Sequence, residues 1–286
     1  MGQNTAIEWC DATWSPVRGC TRTSEGCRFC YSERMAARNL PAFRSPTTGE
    51  PFAIMQHGEP HWTGRMELIE SQLEIPLHWR KPRRIFVNSM SDTFHEDLPD
   101  EDIDRIFNAC HYAPQHTYLF LTKRAKRMHK FLSDRWSAEM IPRNWWLGVS
   151  VEDRKNKDRI DVLRETPAAL RFLSLEPLLE DLGELDLRGI GLVIVGGESG
   201  PGARPMHPDW VRALRDQCVK VGARFHLKQL GEWREEIPGD ITSNARRTVI
   251  PAAPGYRAVK MIRVGKKAAG RLLDGRTWDE FPESAK

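Results

Sequence analysis

The chain has 286 residues, 40% hydrophobic and 29% charged, which is enough to bury one large core or two modest ones. It has no apolar run of membrane-spanning length, and its opening "MGQNTAIEWC" has neither a basic nor an apolar leader region, so no membrane partner is expected and the expected location is cytoplasmic. A net charge of +4 permits nucleic-acid binding without demanding it.

The first predicted strand lies in "TAIEWCDATWSPV". The segment that leaves it, "GCTRTSEGCRFCY", crowds Cys20, Cys27 and Cys30 together, half of the six cysteines in the chain. In a reducing compartment such spacing reads as a metal or cofactor site before it reads as a disulfide frame. Residues 40–80, rich in Pro, Gly and Trp, read as an insertion. From residue 84 compact apolar runs recur: "RIFVNS" (84–89), "TYLFLT" (117–122), "WWLGVSV" (145–151), "LRFLSL" (170–175), "GLVIVGG" (191–197) and "RFHLKQL" (224–230). Runs of this length suit strands of a parallel sheet covered on both faces. "DEDIDRIFNACHY" and "HPDWVRALRDQCVKVG" carry apolar residues at helical spacing, and Gly222 is placed to stop the second. The alternation predicts an α/β fold, an incomplete (β/α) barrel of about six to seven parallel strands over 1–236. From Ile237 the rhythm is lost, and "YRAVKMIRVGKKAAGRLLDG" predicts a C-terminal β extension over 237–286.

In parallel βα architectures ligands meet the carboxyl ends of the strands. The residues there are Ser89, Ser91 and Asp92, then Lys123 and Arg124, Ser150 and Glu152, Glu176, Glu198 after the glycines Gly196 and Gly197, and last Lys228 and Gln229. The glycines could admit a ligand to the backbone, but they match neither G-x-G-x-x-G nor a Walker motif. "RKPRR" (80–84) and "KRAKRMHK" (123–130) concentrate positive charge; solvated faces are the plain reading and nucleic-acid contact the functional one. The tryptophans divide likewise between core packing and base stacking. "DTFHED" holds Asp92, His95, Glu96 and Asp97, a weak metal set with no second histidine at i+4. Cys110 and Cys218 read as buried thiols.

Three thiolates on one loop can hold zinc, with Cys10 or a histidine as fourth ligand, or three irons of a cubane whose fourth iron stays open. The order Cys20, spacer, Cys27-x-aromatic-Cys30 resembles the radical S-adenosylmethionine (SAM) superfamily. "TAIEWCDATWSPVRGCTRTSEGCRFCY", "RKPRRIFVNSMSDTFHED", "FLTKRAKRM" and "VGKKAAGRLLDGRTWDEF" resemble more closely the phage Gp37/Gp68 family of radical-SAM-like three-cysteine proteins, from Thr5 to about Pro282. The first spacer departs from the superfamily's usual three residues, being six here. The resemblance implies a [4Fe-4S] cluster on Cys20, Cys27 and Cys30, and SAM cleavage with hydrogen abstraction from a substrate, with a one-electron reductant and a protein partner as the expected company. It implies SAM contacts at Ser89, Ser91, Asp92, Ser150, Glu152, Gly196, Gly197 and Glu198, with Glu176 and Lys123 as catalytic residues. A nucleic-acid or nucleotide substrate, as in DNA modification or repair, is expected from the basic runs and tryptophans. Two other classes stay open: a zinc-stabilised nucleic-acid-binding protein without turnover, and a barrel hydrolase using Asp92, Glu152, Glu176 and Glu198 around a divalent ion.

Overall fold

The computed structural model describes residues 5, 7–38, 40–239 and 244–282. The apolar runs become seven strands: β1 (Ala12–Trp14), β2 (Arg84–Val87), β3 (Thr117–Thr122), β4 (Trp145–Ser150), β5 (Leu170–Leu175), β6 (Leu192–Gly196) and β7 (Arg224–Gln229). They follow one another across a single sheet in chain order. The pairs β1/β2, β2/β3, β3/β4, β5/β6 and β6/β7 are parallel. A sheet that never reverses its order has the topology of a βα barrel, not of a doubly wound sheet. Among the described residues β1 and β7 do not pair, so the ring of hydrogen bonds is incomplete, as expected. No helix of the described residues is long and apolar enough to cross a membrane. Of the opening "MGQNTAIEWC" read for a leader, residues 1–4 and 6 lie outside the described residues, as do 240–243 and 283–286 of the expected β extension.

The chain forms two compact units. The first, from the described residues of 5–149 and 162–171, contains α1 (Tyr31–Ala36), α2 (Asp100–Tyr112) and α3 (Ala125–Ser133). Asp100, Glu101 and Asp102 set negative charge at the N-terminal dipole of α2, and Ile103, Ile106, Phe107 and Cys110 form its buried face. Phe107 stacks on Phe120 of β3 with ring centroids 4.5 Å apart, and Phe94, Phe131, Trp136 and Trp145 surround it. Trp9, Trp14, Trp79, Trp145 and Trp146 are also buried, the core-packing side of the two readings offered for the tryptophans. The insertion is built on a hairpin, Ala53–Gln56 against Glu59–Trp62, turned at His57 and Gly58, both at positive φ as a type I′ turn requires.

The second unit, from the described residues of 150–161 and 172–282, includes the first half of α4 (Asp158–Glu165), whose residues from Val162 on count with the first unit, and the whole of α5 (Pro208–Val221). Gly222 ends α5 in the left-handed conformation at φ 75°, the C-cap the sequence predicts. An antiparallel sheet follows, β8 (Trp233–Glu235), β9 (Arg247–Ile250) and β10 (Val259–Arg263) in the order β8-β10-β9. It starts at Trp233, ahead of Ile237, because the Trp233 side chain packs with Ala203, Val259 and Met261 and donates from Nε1 to the Ala203 carbonyl at 2.7 Å.

Candidate functional site

The loop leaving β1 opens at Gly19, where φ is +92° and a β-carbon would overlap the Arg65 carbonyl oxygen. Only glycine meets both conditions, and Cys20 follows it directly. A turn of 3-10 helix, Glu25–Cys27, carries Cys27, and Cys30 caps α1. Local hydrogen bonds wind the segment: the Cys27 N–H donates to the Ser24 carbonyl (2.9 Å) and the Cys30 N–H to the Cys27 carbonyl (3.2 Å). All three thiols are half-buried and free of disulfide.

Their electrostatics differ. Burial pushes the Cys20 thiol up to about 12, helped by Asp92 and opposed by Arg124. Burial also raises Cys30, against the backbone N–H groups of Glu33 and Ser32. At Cys27 burial acts the same way, but the Lys123 charge and hydrogen bonding from Thr23 and Ser24, whose hydroxyls lie 3.8 Å from Sγ, outweigh it and hold the thiol below its ordinary value. The trio is near enough for mutual repulsion: Cys27 and Cys30 raise Cys20, and Cys27 raises Cys30. A cation between them would relieve that repulsion. Among the described residues no group of three His, Cys, Asp or Glu side chains is already converged on one ion position. The donor set still fits a soft metal or an iron–sulfur group in kind, being three free thiols on one loop beside positive charge.

What holds this loop is a network centred on Arg124, at the end of β3. Its side chain is 4% exposed and donates to Asp92 (3.0 Å), to Glu96 (2.6 Å) and to Thr21 Oγ1 (2.8 Å), next to Cys20. Asp92 also accepts from Thr122 Oγ1 (2.7 Å) and from the backbone of Phe94 and Lys123. His95 Nδ1 accepts the Asp97 N–H at 3.1 Å, which leaves the proton on Nε2 to be donated to Thr21 Oγ1 at 2.8 Å. Asn88 stands at φ 56° after β2, accepts the Val17 N–H (3.1 Å) and donates to Thr93 (2.7 Å). Ser91 donates to the Val17 carbonyl, and the Ser89 carbonyl accepts from Tyr31 and Ser32. Ser89, Ser91, Asp92 and Lys123 therefore do gather around the cysteine loop, with the first three tied into its scaffold. On its other side Arg22 donates twice to the buried Glu33, which also accepts the Trp62 N–H of the hairpin (2.9 Å). Cys10 is buried with its thiol on the Ile7 carbonyl at 3.9 Å.

The second unit holds the other predicted residues. Glu152 is fully buried and accepts from Arg159 of α4 at 3.0 Å, and Arg159 also donates to the Ser150 carbonyl at 2.7 Å. Glu198 accepts from the backbone and side chain of Arg204 (2.8, 2.8 and 2.7 Å). Glu176 accepts two bonds from Lys228 Nζ (2.7 and 2.9 Å) and one from Gln229 Nε2 (3.3 Å). The bare face of Gly196 is filled by that Glu176 carboxylate, 3.1 Å from where a β-carbon would stand, and the face of Gly197 by the Leu230 carbonyl. The room these glycines create is used by the chain itself.

Sequence reasoning missed Thr21, Glu33, Asn88 and Arg159. Their signal is tertiary: each is an ordinary polar residue until a distant partner arrives, and only Asn88, an asparagine directly after a strand, hints at its left-handed backbone. A family model described as "Protein of unknown function (DUF5131)" matches residues 4–282. No curated protein and no solved structure matches the chain.

Proposed function

Since the chain belongs to the DUF5131 family, whose description names no activity, we propose a function from its cysteine loop and from the resemblance that loop carries: a radical SAM enzyme that holds a [4Fe-4S] cluster on Cys20, Cys27 and Cys30 and acts on a nucleic-acid or nucleotide substrate. The observation that carries the reading is the trio itself, three free, half-buried thiols on the loop after the first strand of a parallel sheet, next to Lys123 and Arg124. Cys20, Cys27 and Cys30 would hold the cluster, and a donor set of three thiolates would leave a coordination position for SAM. The chemistry supplied when such a cluster is bound is one-electron cleavage of the SAM sulfonium bond, which starts hydrogen abstraction.

The chain's own residues then have stated tasks. Arg124 and Lys123 offset the thiolate charge, and Lys123 is the group for the SAM carboxylate or a substrate phosphate. Asp92, Thr21 and His95 fix the guanidinium that fixes the loop. Ser91 and Asn88 hold the end of β2 to Val17, before Gly19, and Ser89 holds it to Tyr31 and Ser32 of α1. In the second unit Glu152 and Glu198 accept from Arg159 and Arg204, and the faces of Gly196 and Gly197 meet Glu176 and Leu230; Ser150, Glu152, Gly196, Gly197 and Glu198 keep in this reading the SAM contacts that the resemblance implies.

The test is anaerobic purification and reconstitution with iron and sulfide. A brown protein that bleaches with dithionite and converts SAM to 5′-deoxyadenosine, both lost in Cys27→Ala, is the expected result. A colourless protein with one bound zinc and no SAM turnover overturns it, as does magnesium-dependent hydrolysis that survives Cys27→Ala.

A further inference from the structure

At the carboxyl ends of β5, β6 and β7 lies a polar constellation that the reading of the cysteine loop does not use. Along β6 and β7 the register runs Val195 opposite Leu227 and then Gly196 opposite Gln229, so Lys228 is an extra residue in a bulge. In a regular strand Lys228 and Gln229 would point to opposite faces. Here both reach the same Glu176 oxygen, at 2.7 and 3.3 Å. Bulges re-aim side chains in this way beside functional sites. Gly196 completes the arrangement by giving the carboxylate room.

Two hydrogen-bonding capacities are left over. An ammonium has three protons, and both Lys228 bonds found here go to Glu176. Gln229 Nε2 is spent on Glu176 and on the Gly197 carbonyl at 3.1 Å, which fixes the amide orientation, while Oε1 is buried with no partner among the described residues. Gln229 is only 4% exposed, so that acceptor costs stability until something donates to it. Lys228 and Glu176, by contrast, still meet solvent, with side chains 15% and 18% exposed.

We propose that Glu176, Lys228 and Gln229 form a binding site for a lactam edge, a carbonyl acceptor beside an N–H donor as on pyrimidine and purine bases. The ligand carbonyl takes the spare Lys228 proton and its N–H satisfies Gln229 Oε1; the Lys228–Glu176 pair is neutral overall, which suits an uncharged edge.

The probe is 1-methyluracil titrated into the full chain by calorimetry, with 1,3-dimethyluracil, which lacks the N–H, as control. Binding of the first and at least about tenfold weaker binding of the second are expected. Gln229→Leu should abolish the preference, and Lys228→Met should weaken 1-methyluracil binding. The proposal is overturned if 1-methyluracil does not bind, if both compounds bind alike, or if Gln229→Leu keeps the preference. The comparison of the two probes uses the unaltered chain, so it does not depend on either variant folding. It reads neither iron nor SAM turnover, so its failure and that of the radical SAM reading are separate results.

Discussion

Gly19 couples backbone conformation to thiol position. Gly19→Ala introduces a β-carbon where the Arg65 carbonyl stands and puts a non-glycine residue at φ +92°, which should cost about 1–3 kcal/mol of stability by urea unfolding and lower the iron bound per chain. Arg124 has a larger role. Arg124→Ala leaves the buried Asp92 carboxylate without its cation, an expected loss of about 3–5 kcal/mol. Arg124→Lys keeps the charge but loses the fork that reaches Thr21, so it should fold and yet titrate Cys20 faster with a thiol reagent. His95 gives a pH signature. Burial and then Arg124 push its pKa below the ordinary 6.5, against Glu96, Asp97 and Asp92. The folded state resists a proton that the unfolded state accepts, so its contribution to stability is whole above pH 6.5 and falls away as pH drops below that value. The melting temperature should therefore decline between about pH 7.5 and pH 5, and His95→Asn should show a smaller decline.

Elements were legible where a local pattern decides them. β3 and β5 span the residues their apolar runs predict, Thr117–Thr122 and Leu170–Leu175, because polar or turn residues bound each run. α2 starts and stops as its acidic turn and apolar face require. Its weight in the first core is concentrated in Phe107: Phe107→Ala should cost about 3–5 kcal/mol in denaturant titration, since five other aromatic rings lean on it. The basic run on α3 shows where pattern misleads. Arg127 pairs with Asp100 at 2.5 Å, Lys130 with Asp134 at 2.7 Å, and Arg124 is buried with Asp92, so much of the charge that looks like a patch in sequence is matched within the fold. The bulge at Lys228 was equally invisible, because register belongs to a pair of strands and not to either sequence.

At the scale of the molecule, seven strands in chain order follow from the βα rhythm of the sequence, whereas the scaffold of the cysteine loop does not, since it joins residues as far as 103 positions apart, as Thr21 and Arg124 are. The net charge of +4, spread over 43 basic and 39 acidic residues, bears on the proposed nucleic-acid substrate. Retention on DNA should be weak and its salt dependence shallow, reflecting few phosphate contacts. A steep dependence of log affinity on log salt would contradict that, and a shallow one leaves selectivity to contacts with bases. The hairpin also has a consequence for anyone wishing to shorten the protein. It looks like a dispensable ornament, yet its Trp62 amide and Pro60 carbonyl clasp the Glu33–Arg22 couple under the thiols. Excising it would take the Trp62 donor from the buried Glu33 and the Pro60 acceptor from Arg22, and leave that ion pair uncovered, so truncated versions should come out of cells clumped or digested, and the smallest workable protein keeps its appendage.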